Sequence, residues 1–419
     1  MRKLLVILTL AIALLLAPTA QAQDPVEIDF LTYLTGPDGA YYADLVTQFN
    51  EEQSDIHVNF LVEEGGADYN ARLTLGIRSG NAPAVAMLEI DKLPRFVESD
   101  FITSFSVEEF EEIFHSDFDD FVPSTISGAM ANDRIYAVPL AGFHAAMYYN
   151  VDHFEAAGID GPPETWAEFV EYAQMLTQDT DGDGATDQWG YYCFGGWQYR
   201  VLWQWYSVLW GMGGELLNED LTEVAFDSEE GVAALQFFVD LIREHEVCPA
   251  EPADGEQAFG SGQLSMHLNG PWMISFFDSL PELNWQVANL PTWDGGAAAW
   301  GSVHTMTFPM NVPDEQHQAG LVFGAWLADH TADLAAAGAY APRYSVLESE
   351  AHQALEAQTI FGQGASDYLR MVPPVEYWPE AEQILLEYFD GALLGTVSAE
   401  EAVMGAAEEI QYLVEEYAD

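Results

Sequence analysis

Phe259-Gly-Ser-Gly-Gln-Leu-Ser-Met-His-Leu-Asn-Gly-Pro-Trp272 decides how this chain is read. An aromatic residue and two glycines lead into a short apolar strand, and an Asn-Gly-Pro turn then presents a tryptophan. A flat ring on a turn at a strand end makes one wall of a sugar site. Pyranose C–H faces stack on aromatic faces, and an indole loses little rotamer freedom in doing so. The competing reading is that Trp272 caps a core.

Upstream of this stretch the pattern is layered α/β. Val26 to Leu34 alternates apolar and polar residues and predicts a strand. Gly39 to Glu52 has helical spacing through Tyr42, Leu45, Val46 and Phe49. Ile56 to Val62 alternates again, Tyr69 to Ser79 is helical, and Ala84 to Leu88 is a short buried strand. The alternation runs on through Val138-Pro139 to Met147-Tyr148-Tyr149-Asn150. Thr165-Trp-Ala-Glu168 is a capping box that starts a helix reaching about Leu176. Further helices fit Glu229 to His245, Gln316 to Leu327, and Glu380 to Tyr417 with a break at Gly391 to Gly395. No internal repeat or low-complexity linker interrupts the chain.

The first 22 residues read as a signal peptide. Arg2 and Lys3 precede the apolar run Leu4 to Leu16, and Ala20-Gln-Ala22 has the small-x-small pattern of a cleavage site. The run is too short for a stable transmembrane helix. The mature protein is expected outside the cytoplasmic membrane, periplasmic or extracellular, soluble and without membrane insertion. The remaining 397 or so residues suffice for two domains. With 49% apolar and 13% aromatic residues in the chain, large cores are available and disorder is excluded.

Charge sets a second boundary. Without Arg2 and Lys3, nine basic residues stand against 69 acidic ones, a net of −60. Lys3 and Lys92 are the only lysines. Such a surface repels nucleic acid and anionic lipid, and it opposes its own compact state unless salt screens it. Work in a salty medium is the expectation, against a compositional bias without salt dependence. Cys193 and Cys248 are the only cysteines. Export permits a disulfide, and two buried thiols are the alternative.

Taken in order, several short pieces resemble the family 1 extracellular solute-binding proteins of ABC importers, which include maltose-binding and glycerol-3-phosphate-binding proteins. The pieces are Leu45-Val-Thr-Gln-Phe-Asn50, Ile77-Arg-Ser-Gly-Asn-Ala-Pro83, Tyr148-Tyr-Asn150, and Ala157-Gly158 leading through Pro163 to Thr165-Trp166. Phe259 to Met266, Asn269-Gly-Pro-Trp272 and Leu290-Pro291 complete the series. The resemblance implies an α/β, two-lobed periplasmic-binding-protein fold of type II, with discontinuous lobes joined by a hinge and the ligand in the cleft between. It places an N-terminal lobe at 24–140 and 300–338 and a C-terminal lobe at 145–297 and 340–419. The crossings fall near Leu140–His144, Ala298–Gly301 and Gly338–Ala341.

Site residues follow from the same resemblance. Trp272 matches the stacking tryptophan of maltose binders. Trp197, in Gly195-Gly-Trp-Gln198, sits where relatives place ligand-binding aromatics, and Tyr377-Trp378 where maltose binders place another. Trp300 and Gly301 lie at a crossing where a glycine N–H can approach a ligand, with Phe143 at the first crossing. Tyr340 falls in a Gly-Tyr-x-Pro-like turn, Gly338-Ala-Tyr-Ala-Pro342. Tyr69 and Glu89 match positions used by glycerol-3-phosphate binders, Glu89 with a one-residue shift. Carboxylates such as Glu89, Asp91 and Asp38 suit sugar hydroxyls, since an ionised carboxylate accepts strong O–H···O⁻ bonds. Any one acid among 69 is otherwise a surface residue. Trp203, Trp205 and Trp210 recur at helical spacing and read mostly as core.

The phosphate-binding arginine of glycerol-phosphate binders would fall near Tyr377, where no basic residue stands; Arg200 and Arg343 are the substitutes, or structural residues. A neutral sugar or short oligosaccharide is therefore the expected ligand, delivered by a monomer to an ABC permease. A glycerol phosphate, glycerophosphodiester or polyol is the alternative. A secreted glycoside hydrolase is a third reading, but no acid pair or nucleophile motif stands out for it. No cofactor is required. Asp179-Thr-Asp-Gly-Asp-Gly-Ala-Thr-Asp187 resembles a Ca²⁺ loop through Asp179, Asp181, Asp183 and Asp187, but Gly190 stands where the bidentate Glu belongs. An Asx-rich turn is the other reading.

Overall fold

In the computed structural model the described residues are 24–63, 67–193, 199–249, 254–294, 296–331 and 338–418. The proposed signal peptide and Trp197 lie outside them. The strands of the two main sheets are, in chain order, β1 (Val26–Thr32), β2 (Ile56–Val62), β3 (Val85–Glu89), β4 (Val138–His144), β5 (Ala146–Asn150), β6 (Met266–Asn269), β7 (Trp285–Ala288), β8 (Ala299–Thr307) and β9 (Leu369–Arg370). The longer helices packed on them are α1 (Gly36–Glu52), α2 (Ala67–Ser79), α3 (Trp166–Leu176), α4 (Arg200–Gly211), α5 (Glu229–Arg243), α6 (Asp314–His330), α7 (Glu356–Asp367), α8 (Trp378–Leu393) and α9 (Ala399–Ala418).

Parallel pairing of β1 with β2 and β3 builds the first sheet, and β8 adds antiparallel to both β3 and β4. Side chains alternate across its faces. Phe30, Val85 and Met87 enter one apolar cluster with Phe49 and Phe323. Leu31, Ala86 and Leu88 enter another with Tyr69, Leu73 and Ile77. Covering both faces explains why β3 is an almost unbroken apolar run.

A smaller antiparallel sheet, β6-β5-β7, belongs to the second lobe. Its core is one large cluster that joins Trp166, Trp205, Phe238 and Phe277 to Trp378, Phe389 and Ile410. The capping box on α3 forms as the sequence predicts, with Thr165 accepting from the Glu168 N–H while the Glu168 carboxylate accepts from the Thr165 N–H. A disulfide joins Cys193 to Cys248, deciding between the two readings left open. No helix among the described residues is long and apolar enough to cross a membrane.

The chain passes between lobes at three adjacent places. β4 runs into β5 with a break at Ala145, whose N–H donates to the Trp300 carbonyl at 2.7 Å. Gly142 and Tyr340 exchange backbone hydrogen bonds of 2.8 and 3.2 Å. Gly338, at φ +101°, lies against the turn that carries Trp272, and a Cβ there would fall 2.4 Å from the Pro271 carbonyl oxygen. Only glycine fits that close approach and that backbone conformation. The crossing and the Trp272 turn are thus one packed unit.

Candidate functional site

Strand β6 ends at Asn269, and Pro271–Met273 closes into a short 3-10 turn. The Trp272 ring folds back so closely over Gly270 that a Cβ at 270 would sit 2.0 Å from it. The ring stays partly exposed and is fixed edge-on by two neighbours, Phe143 at 5.6 Å and Trp203 at 5.8 Å between centroids. Trp203 in turn stacks on Trp300 at 4.1 Å with planes 7° apart. Phe143 continues the chain of rings to His304 at 4.6 Å, and His304 meets Tyr33 through a 2.7 Å contact between Nδ1 and the phenol oxygen. Contiguous aromatic contact therefore runs from the second lobe, through the crossings, into the first.

Carboxylates gather beside these rings. Glu89 ends β3, opposite His304 in the β8 ladder. Carboxyl ends of parallel strands are where open α/β sheets take ligands. Asp91 and Lys92 follow in a tight turn, Nζ of Lys92 lying 2.5 Å from Oδ2 of Asp91 while Ser302 donates to Oδ1 at 3.3 Å. From the second lobe, Glu382 of α8 accepts from the Tyr206 hydroxyl at 3.3 Å and is within electrostatic reach of Lys92, Asp91 and Glu89.

Burial, with the Asp91 charge added, pushes the Glu89 carboxyl up to about 7. Burial likewise pushes Glu382 up to about 7 against the opposing pull of Lys92. Burial works against the Lys92 charge, but Asp91, Glu89 and Glu382 together outweigh it and hold the ammonium firmly protonated. His304 is held neutral by burial, its pKa drawn down to about 3. Asp38, in the first turn of α1, is raised by burial to about 7, and its Oδ1 has no hydrogen-bond partner among the described residues.

The expected site residues divide into two groups. Trp272, Trp300, Phe143, Glu89 and Asp91 come together around the crossings. Tyr69, Tyr340, Trp378 and Tyr377 do not form an open wall, because their side chains are set into the lobes. Tyr69 spends its hydroxyl on the Leu31 and Met87 carbonyls. Tyr340 packs so tightly on Gly142 that a Cβ there would lie 2.4 Å from its ring. Tyr377 meets Tyr417, and Trp378 lies beside Tyr206 inside the core. Gly301 is required by the crossing itself, since a Cβ would sit 2.2 Å from the Phe143 carbonyl oxygen.

Sequence reasoning missed Tyr33, Lys92, Tyr199, Trp203, Ser302, His304 and Glu382. One signal was available, since Tyr199, Trp203, Tyr206 and Trp210 recur along one face of α4 and its N-terminal cap. The two arginines considered for an anion are both engaged. Arg200 is buried in a salt bridge with Glu256, beside His267 and Asn269. Arg343 pairs with Asp120 at 3.3 Å and lies over the Phe121 ring.

In the Asp-rich turn, Asp179, Asp181 and Asp187 bring carboxylate oxygens within 4.8 Å of one another. Their oxygens also accept the turn's own N–H groups, from Gly182 and Gly184 to Asp179 and from Thr180 and Asp181 to Asp187. Asp183 accepts from Ala185. An open cavity of about 930 Å³ lies elsewhere on the second lobe, lined by residues that include Pro162, Tyr172 and Asn289 and by none of the clustered rings.

Comparison with known proteins places this geometry. The model for bacterial extracellular solute-binding proteins matches residues 34–350. An arabinooligosaccharide-binding protein of Halalkalibacterium halodurans is 25% identical over 306 residues, 70% of this chain and 65% of that protein. This chain thus spans under two thirds of that relative's length. The maltose-bound MalE3 of T. maritima superposes with a TM-score of 0.79 at 25% identity, over 93% of this chain and all of that one. UgpB of Mycobacterium tuberculosis, in complex with glycerophosphocholine, shares the fold at a TM-score of 0.79 and 18% identity, over 95% of this chain and 100% of that one.

Proposed function

This chain belongs to the bacterial extracellular solute-binding protein family, and from that premise we propose that it captures a sugar or short oligosaccharide and delivers it to an ABC permease. The observation that carries the reading is the meeting, at three hydrogen-bonded crossings, of an aromatic wall and a carboxylate wall. Rings bind the apolar faces of a pyranose and carboxylates its hydroxyls, so the pair is selective for carbohydrate. Trp272 and Trp300 stack on or edge the ligand, with Phe143 buried behind them as their support; Glu89, Asp91 and Asp38 accept its hydroxyls. Segments 24–140 and 300–338 move against 145–297 and 340–419 about the crossings.

The protein acts without enzymatic turnover, as an exported monomer freed of residues 1–22. No cofactor is needed. A Ca²⁺ ion would bind at Asp179, Asp181, Asp183 and Asp187 as a brace for the turn, and calorimetric titration with Ca²⁺ tests this. Calorimetry with mono- and oligosaccharides, glycerol phosphate and glycerophosphocholine tests the main proposal. Saturable heat with a sugar and unchanged sugar afterwards is the expected result. Saturable heat with the phosphate esters alone would replace it by the second reading, which the M. tuberculosis relative's ligand favours and the engaged arginines disfavour. Release of shorter products would make the protein a hydrolase.

A further inference from the structure

The first-lobe wall is rich in acceptors and short of free donors. Ser302 already donates to Asp91 at 3.3 Å, and Lys92 is in contact with the same carboxylate. A sugar hydroxyl wants both kinds of partner, because it carries one proton and two lone pairs, whereas an ionised carboxylate only accepts. His304 is placed to supply the donor. It lies directly opposite Glu89 in the antiparallel ladder of β3 and β8, so both side chains stand on one face of the sheet with Cβ atoms about 5 Å apart. Ser302 and its cross-strand neighbour Phe143 share that face.

The His304 ring is held from two sides. Its plane is 39° from that of Phe143 with centroids 4.6 Å apart, and Nδ1 lies 2.7 Å from the Tyr33 phenol oxygen. The Tyr33 hydroxyl makes no other hydrogen bond among the described residues, and donation to Nδ1 satisfies its proton and the ring lone pair together. Burial keeps the imidazole neutral against the pull of Asp91, so a ring that accepts at Nδ1 carries its one proton on Nε2. Nε2 makes no hydrogen bond among the described residues, yet it is not one of the enclosed polar atoms left without a partner, so it reaches the surface beside Phe143 and Glu89. We infer that His304 is a ligand-contacting residue, whose Nε2–H donates to a sugar hydroxyl that in turn donates to Glu89. The inference rests on the carbohydrate reading above and sharpens it. The His304–Glu89 pair selects a sugar with a hydroxyl at that position, since a deoxy carbon offers neither partner and a protonated amine offers no lone pair.

Two measurements on the full mature chain test this. In ¹⁵N NMR of the histidine-labelled, ligand-free protein, His304 should be the neutral Nε2–H tautomer. Its Nε2 signal should move on saturation with whichever of glucose, maltotriose, cellotriose and arabinotriose gives heat in calorimetry. For that sugar, His304→Phe keeps a ring against Phe143 but removes the donor, and should weaken binding about tenfold. His304→Gln, whose amide N–H replaces Nε2–H, should recover most of that loss; melting confirms that both variants fold. An Nδ1–H tautomer, an Nε2 signal unmoved by the sugar, or wild-type binding by His304→Phe overturns the inference and leaves the carbohydrate reading standing. Equal losses in the two variants assign His304 to packing alone and overturn it as well. No heat with any of the four sugars overturns both.

Discussion

The two walls of the cleft are built from opposite materials. The first lobe offers Glu89, Asp91, Lys92 and Ser302 at and beside the ends of β3 and β8; the second offers Trp203, Trp272 and Tyr199 from α4 and the 270–273 turn. The supports differ as well. Glu89 ends a strand buried on both faces and Asp91 follows it in a turn, whereas Trp203 and Trp272 stand on a helix and a turn packed beside a three-stranded sheet. A rigid sheet suits groups that must accept hydrogen bonds at fixed distances. Stacking tolerates small shifts, so it can be carried on the less extensive frame. Under the proposed function, the charged wall sets ligand identity and the aromatic wall supplies most of the affinity.

If the second lobe has the weaker frame, its disulfide should matter most. Cys193–Cys248 closes a 55-residue loop there, and the described residues of the first lobe contain no cysteine. Loop closure of that length corresponds to about 4 kcal/mol. Replacing both cysteines with serine should lower the unfolding free energy by that amount, with a lower denaturant midpoint, and split the transition, the second lobe unfolding first. A single transition with an unchanged midpoint would show the two frames to be equally self-sufficient.

Trp272→Ala comes next in size. Removing the ring should weaken the best carbohydrate ligand by roughly 2 kcal/mol, about thirtyfold in Kd. Melting should change little, because the ring is partly exposed. Glu89→Gln should instead alter which sugar binds best. If the two variants have the same effect, the division of labour between the walls fails.

The legibility of the walls in the sequence was equally uneven. The aromatic wall announced itself through Asn269-Gly-Pro-Trp272, because a bulky ring after Gly-Pro demands a special turn, and Gly270 is indeed the residue the ring folds over. Alternation and helical spacing likewise identified β1, β2, α1 and the α3 cap, with helix ends off by a few residues: α6 is Asp314–His330, not Gln316 to Leu327. The charged wall was half hidden. Among 69 acids nothing local distinguishes Glu382, which α8 brings within electrostatic reach of Lys92 and Asp91 across nearly 300 residues of chain. Tyr69, Tyr340 and Trp378 misled for the converse reason, since matching positions carry ring type and not exposure.

Salt should separate the walls more gently. Screening relieves repulsion within a shell of net charge −60 but leaves stacking unaffected. Melting temperature should rise by roughly 5 °C between low and molar KCl, corresponding to about 4 kcal/mol for a protein of this size. A flat or falling curve would mean that the shell repulsion is already relieved by how the acids are spaced.

The smallest expected effect is on pH dependence, and its sign is set by the charged wall. Glu89 and Glu382 have folded pKa values near 7, above the 4.5 of an exposed glutamate. The folded state therefore holds these protons more tightly than the unfolded state, and the associated stability is full below about 4.5 and lost as pH rises toward 7. Between pH 5 and pH 8 the ligand-free protein should lose roughly 1 °C in melting temperature on this account, on the order of 1 kcal/mol after solvent screening of these partly exposed groups. Glu382→Gln removes one of the two titrations and should flatten the curve, whereas Trp272→Ala, on the aromatic wall, should leave its slope intact. If Glu382→Gln keeps the full slope, Glu382 does not titrate as a buried carboxyl, and the contrast between the walls loses its electrostatic half.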